Sequence, residues 1–254
     1  MERAVSEPVG IPLDLEAVNH LLPHAPEEAA TLLHEAARAG RGDAQTWLGQ
    51  LYLNGLGVSL DPSEALYWFQ RAAHADMPMA MNMLGRCHEN GWGCEIDHAL
   101  AAVWYRRSAD HGLDWAIYNL AQMHAQGRGV RQDRTEAFRL FTRAATMGHA
   151  RAMHFLGQFY EYGWEVAPDR AQAFALYRHS AEGGDYRGMC SWASVLTQTG
   201  HVTEAVALLA RAFPLAPPHY REALLVSLRA SPYPPLRALA KNLSVSPGTS
   251  ETPG

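Results

Sequence analysis

LGQLYLNGLGVSLDPSEALYW, residues 48–68, decides the fold, because the same order of residues returns downstream at a fixed interval. Gly55, Gly91, Gly127 and Gly163 stand 36 residues apart, as do Asp61, Asp97, Asp133 and Asp169, and Ala65, Ala101, Ala137 and Ala173. An interval held this strictly marks tandem copies of one supersecondary unit. Four full copies are expected, at residues 43–76, 77–112, 113–148 and 149–184, each a first helix, a short glycine loop and a second helix. Ala80, Leu84, Cys87 and His88 fall at i, i+4, i+7 and i+8, one face of a 3.6-residue period. Gly55 and its equivalents suit the left-handed position that closes a helix. Asp61 reads as an N-cap with Pro62 at N1 and Glu64 at N3, and Asp133 with Glu136 and Asp169 with Gln172 keep that spacing. The second copy has Leu100 in place of the acid, which predicts a weaker helix start after Asp97.

Outward from these copies the pattern thins. Ala29, Leu32, Leu33, Ala36, Ala37 and Gly40 match a second helix without its first, and residues 13–22 read as an N-terminal capping helix ended by Pro23 and Pro26. A fifth copy, with Trp192, Ala193, Leu196, Ala205, Leu208, Leu209 and Ala212, fits once its loop is shortened by four residues. Leu224 falls on a sixth first helix that Pro232, Pro234 and Pro235 stop, and residues 236–243 form a short final cap. Residues 1–12 read as a mobile tail and residues 244–254 as a disordered one. The expectation is an all-α, α/α solenoid of helix-turn-helix repeats, running as a single domain over residues 13–243.

Composition narrows the partners. With 254 residues, 48% hydrophobic and 19% charged, the chain has enough apolar content for a sizeable core. The net charge of -5 offers no electrostatic reason to expect nucleic acid or an anionic membrane. No apolar run is long enough to cross a bilayer and no secretory h-region opens the chain, so a cytoplasmic setting is expected, with a periplasmic one open if the sequence is a mature form. The 3 cysteines agree with a reducing compartment.

The unit of Ala, three variable residues, Leu, Gly, then Tyr, Gly, Gly, Val, Asp, Ala, Trp, Ala, Ala and Gly resembles the Sel1-like repeat (SLR) family, relatives of tetratricopeptide repeats. The likeness covers residues 27–213, and the interval of 36 favours it over the period of about 34 in tetratricopeptide repeats. It implies a right-handed α/α solenoid of paired antiparallel helices with the first helices on the concave side, an adaptor or scaffold role, and no reaction. Asp76 and Ala216 at the unit-ending glycine, Glu165 at the second loop glycine, and His88 and His124 at tyrosine depart from it.

Cys87, His88, Cys94 and His98 are of types that bind zinc. The repeat offers a plainer reading, since Cys87 stands where Leu51, Met123 and Phe159 do, and Cys94 where Val58, Val130 and Val166 do: both are small buried hydrophobes. A disulfide between Cys87 and Cys94, and an approach of His88 to His124 across the stack, are further alternatives. Neither a nucleophile motif nor a phosphate loop is present.

Recognition is expected at the variable positions of the first helices, where steps of i, i+4, i+7 and i+11 share a face. These are Asp43, Trp47, Gln50 and Asn54; Met79, Met83, Arg86 and Asn90; Trp115, Asn119, Gln122 and Gln126; and Arg151, Phe155, Gln158 and Tyr162. Amide rows suit the backbone of an extended peptide, and Trp47, Met83, Trp115 and Phe155 supply apolar anchors. The loop tips Leu56, Trp92, Arg128 and Trp164 are a competing surface, and the amides are otherwise solvated helix surface. The reading is a non-catalytic adaptor or scaffold in a bacterium, binding a protein or extended peptide, without cofactor. Its alternatives are a metal-dependent enzyme using the Cys87 to His98 cluster and an RNA-binding helical repeat.

Overall fold

The structure, a computed structural model, describes residues 15–245. The tail expected at residues 1–12, and residues 246–254 of the other, lie outside the described residues. The described residues hold fourteen α-helices, a single-turn 3-10 helix and no strand. Helices α1 (Leu15–Leu21) and α2 (Pro26–Arg38) precede the full copies. Those copies are α3 (Gly42–Asn54) with α4 (Pro62–His74), α5 (Pro78–Asn90) with α6 (His98–Asp110), α7 (Asp114–Gln126) with α8 (Arg134–Thr146), and α9 (Ala150–Tyr162) with α10 (Arg170–Glu182). Then come α11 (Tyr186–Gln198), α12 (Val202–Ala212), α13 (Pro218–Arg229) and α14 (Pro234–Val245). Tandem helix pairs of this kind are an α solenoid.

The loop between first and second helix is held the same way in each full copy. Gly55, Gly91, Gly127 and Gly163 take φ of 65°, 75°, 70° and 69°, the left-handed closure that a Cβ would strain. The amide of the capping aspartate then reaches back to the first helix: Asp61 to the Tyr52 carbonyl at 2.9 Å, Asp97 to His88 at 2.8 Å, Asp133 to His124 at 2.9 Å and Asp169 to Tyr160 at 2.9 Å. Each aspartate side chain accepts from the third helical amide, at Glu64, Leu100, Glu136 and Gln172, and Asp61 accepts from Ser63 as well. Asp97 therefore caps its helix although Leu100 replaces the acid. Asp76 takes the left-handed turn with φ 54° where the other full copies end in glycine, a conformation that a short polar side chain tolerates.

The chain divides into two compact units, Met1–Ala137 and Phe138–Gly254. Two core clusters lie in the first. One gathers Val18, Leu33, Ala36, Ala37, Ala44, Leu48, Leu51 and Trp68; the other gathers Phe69, Ala72, Ala73, Ala80, Met81, Leu84 and Cys87. Small residues are required where helices cross: a Cβ on Gly49 would lie 2.6 Å from the Phe69 ring, and one on Gly85 2.5 Å from the Tyr105 ring. The second unit repeats this with Gly157 under Tyr177, where the added Cβ would lie 2.6 Å from the ring.

Further along the second unit, Ala193, Leu196, Ala205 and Leu209 pack with Leu228, Leu236, Leu239 and Ala240. The fifth copy's loop is residues 199–201, as the four-residue shortening predicts. The C-terminal end differs from expectation. The helix foreseen at residues 236–243 begins at Pro234, because proline is tolerated in a first helical turn, and runs to Val245. Ser244 is thus helical: its hydroxyl donates to the Ala240 carbonyl at 2.7 Å and accepts from Arg229 at 2.9 Å.

Candidate functional site

The first unit places the variable positions of α3, α5 and α7 on one half-open face. Trp47 and Gln50 are half-buried and Asn54 is exposed; Arg86 is half-buried and Asn90 exposed; Asn119 and Gln122 are half-buried and Gln126 exposed. Met79 and Trp115 are 42% and 41% exposed, a large apolar area to leave in water. Between α3 and α5 this face is indented by a groove of about 350 Å³, lined by Asp43, Thr46, Trp47, Gln50, Met77, Met79 and Met83. An aromatic ring, three thioethers and an amide form an adaptable apolar seat with a polar rim.

Three expectations about this face change. Met83 is only 3% exposed, because it joins the core cluster around Phe69 and Leu84 and Arg86 lies over its sulfur, Nη1 to Sδ 3.6 Å. It floors the groove instead of standing out as an anchor. Asn119 donates to buried Asn82 at 3.0 Å, so part of its amide knits α7 to α5. The outer amides bond along their own helices, Asn90 to the Arg86 carbonyl at 2.8 Å and Gln126 to Gln122 at 3.0 Å, while Gln122 donates to the Tyr118 hydroxyl at 3.4 Å. A peptide would meet a pre-ordered amide row with donors and acceptors left over.

The loop tips differ among themselves. Arg128 packs on the preceding copy, pairing with Glu89 at 2.8 Å, while Glu89 also accepts from the Tyr105 hydroxyl at 2.6 Å. Burial and then the Glu89 charge push the Tyr105 hydroxyl's pKa up, which keeps it the donor. Trp92 lies against the core with the Arg86 guanidinium 4.9 Å from its ring centre. Leu56 remains 39% exposed.

In the second unit, Phe155 stacks on Phe141 at 5.4 Å, Gln158 is half-buried, Arg151 is exposed, and Tyr162 is 58% exposed with its ring 5.0 Å from Trp164. Buried His154 meets Ser191 at 3.4 Å, the same step between adjacent first helices that Asn82 and Asn119 bridge. Burial pushes the His154 pKa down to about 4, against an opposing pull from Asp185. A larger groove of about 720 Å³, among Cys190, Thr197, Tyr220, Leu224 and Tyr233, lies between α11, α13 and α14. The repeat pattern did not foresee it, since it lies past the last regular copy.

Cys87, His88, Cys94 and His98 are not brought together as one set of metal ligands. Cys94 Sγ lies 3.5 Å from His88 Nδ1, but fully buried Cys87 has its thiol pKa pushed up to about 12 by burial. Among the described residues no group of three or more His, Cys, Asp or Glu side chains converges. Cys87, Cys94 and Cys190 are free thiols, so the alternative pairing of Cys87 with Cys94 is not made. Sequence reasoning missed Asn82, Thr46, Met77 and Glu89; of these, Asn82 carried a signal, standing at the 36-residue step of Tyr118 and His154.

Tandem helix pairs, with architectural residues at fixed steps and variable side chains on the first helices, define the class of helical-repeat scaffolds. The Sel1 repeat family matches residues 42–77, 78–113, 116–149 and 150–185, and the chain belongs to it. Proteins of this family are in general protein-interaction scaffolds, and the fold is typically non-enzymatic. A Sel1 repeat protein from Oxalobacter formigenes is 26% identical, with TM-score 0.76 over 91% of this chain and 97% of its own. The protective antigen c5321 of uropathogenic Escherichia coli, with an SLR fold, is 26% identical with TM-score 0.63 over 73% of this chain. This chain spans 41% of the length of that antigen. The immunity protein Pa5087 from Pseudomonas aeruginosa, 19% identical, shares the fold with TM-score 0.56 over 80% of this chain and 84% of its own. Among curated proteins no sequence matches significantly. No described helix is long and apolar enough to cross a membrane.

Proposed function

We propose that this protein is a non-catalytic adaptor that holds a peptide or protein segment against its first helices, in a regulatory or assembly role in a bacterium. The observation that carries this reading is the groove between α3 and α5, continued by half-buried amides and by Trp115. Its aromatic and thioether lining supplies the contacts that concentrate binding energy, and the amides beside it match a peptide backbone. Three free cysteines, with Cys87 fully buried, suit a reducing compartment such as the bacterial cytoplasm.

The test is capture of partners from the native cell by the double variant Trp115→Ala/Gln122→Ala. Both side chains lie outside the core, so capture is expected to weaken while the melting temperature stays that of the parent. Equal capture by the double variant counts against the reading.

A further inference from the structure

Arg86 stands in the middle of the row formed by Gln50, Arg86 and Gln122, and it is the row's one cation. Its guanidinium stacks 4.9 Å from the Trp92 ring centre and its Nη1 lies 3.6 Å from the Met83 sulfur. No carboxylate among the described residues lies within ion-pair distance of it. The neighbouring arginines differ: Arg41 pairs with Asp43 at 2.6 Å and Arg128 with Glu89 at 2.8 Å. Asp43 in the groove wall and Glu89 beneath Arg128 are therefore engaged. Among the described residues, the positive charge left on the face of α3, α5 and α7 is that of Arg86.

A guanidinium has five donors, and stacking on an aromatic plane fixes its fork before a ligand arrives. That arrangement matches a carboxylate, which it can meet with two parallel hydrogen bonds. A nucleic acid is the poorer match, because affinity for it comes from several phosphates met by several cations, and the row around Arg86 is otherwise amide.

We propose that the segment held on the first-helix face carries an acidic side chain that pairs with Arg86, beside an apolar side chain seated against Trp47, Met79 and Met83. The proposal rests on the reading of this face as the binding site. Because Arg86 touches Met83 at the groove floor, the acid belongs within about two residues of the apolar anchor in an extended chain rising about 3.3 Å per residue.

The experiment uses the full chain and an immobilised array of peptides with a central leucine. Aspartate or glutamate, asparagine or glutamine, or lysine or arginine is placed one or two residues to either side. Parent, Arg86→Gln, Arg86→Glu and Trp47→Ala are compared after circular dichroism shows each to be folded. The parent is expected to retain the acidic peptides about tenfold better than their amide counterparts. Arg86→Gln loses that preference, and Arg86→Glu turns it toward lysine and arginine. An acidic preference that survives in Arg86→Glu, or a parent that ignores peptide charge, overturns the proposal. If Trp47→Ala abolishes retention while charge has no effect, the acidic partner falls and the groove stands. If Trp47→Ala changes nothing, or no peptide is retained, the groove reading falls and this proposal with it. A single-stranded RNA oligonucleotide retained more strongly than the acidic peptides also overturns it.

Discussion

Glu89 with Tyr105, and Glu161 with Tyr177, are paired in sequence as well as in space: each glutamate accepts from its tyrosine hydroxyl at 2.6 Å. The first and third copies have Phe69 and Phe141 at the tyrosine position, with Leu53 and Ala125 at the glutamate position. Apolar goes with apolar and acid with hydroxyl, because a buried hydroxyl without a partner is costly. Tyr177→Phe should therefore destabilise the protein by roughly 1.5–3 kcal/mol, the range for hydrogen bonds to charged acceptors, and Glu161→Leu placed upon it should recover part of the loss. Urea unfolding of the two single variants and the double variant checks this, and strict additivity would contradict it. The correlation was legible in the aligned copies. The side-chain fate of Met83 was not, since burial at a helix position depends on the crossing of the neighbouring helix.

Among the elements, the regular helices were legible because each carries its own start and stop. Asp61, Pro62 and Gly55 specify their local structure without reference to the rest of the chain. Asp61→Ala removes the acceptor of the Ser63 and Glu64 amides and should cost about 1 kcal/mol, read as a lower urea midpoint with an unchanged slope. An unaltered midpoint would mean that the loop bond from the Asp61 amide to Tyr52 alone holds the helix start. Less legible were α13 and α14, where Pro232, Pro234 and Pro235 read as a stop although two of them open a helix. Proline is compatible with both outcomes, and the apolar partners that decide, Leu228 with Leu236 and Leu239, come from different helices.

For the molecule as a whole, the repeat divides labour between positions. Residues that recur at the 36-residue step, such as Leu48, Gly55, Asp61 and Ala65, are core, loop or cap, and they account for the fold. The side chains that change from copy to copy include those on the first helices beside a groove, with a stacked Arg86 that no carboxylate among the described residues pairs. The spacing of these positions along each helix was legible in the sequence alone. The groove was not, because it arises from the gap between Trp47 and Met79 on two different helices, a distance that no single-helix pattern contains.

The most direct test places a photo-crosslinking amino acid, one site at a time, at Asn54 and Gln126 on the first helices and at Tyr67 and Val103 on the second helices. All four side chains are exposed, so accessibility does not favour either face. Crosslinks to the captured partner are expected from Asn54 and Gln126 and absent from Tyr67 and Val103. Crosslinks confined to Tyr67 and Val103 would contradict the account and move recognition to the second helices.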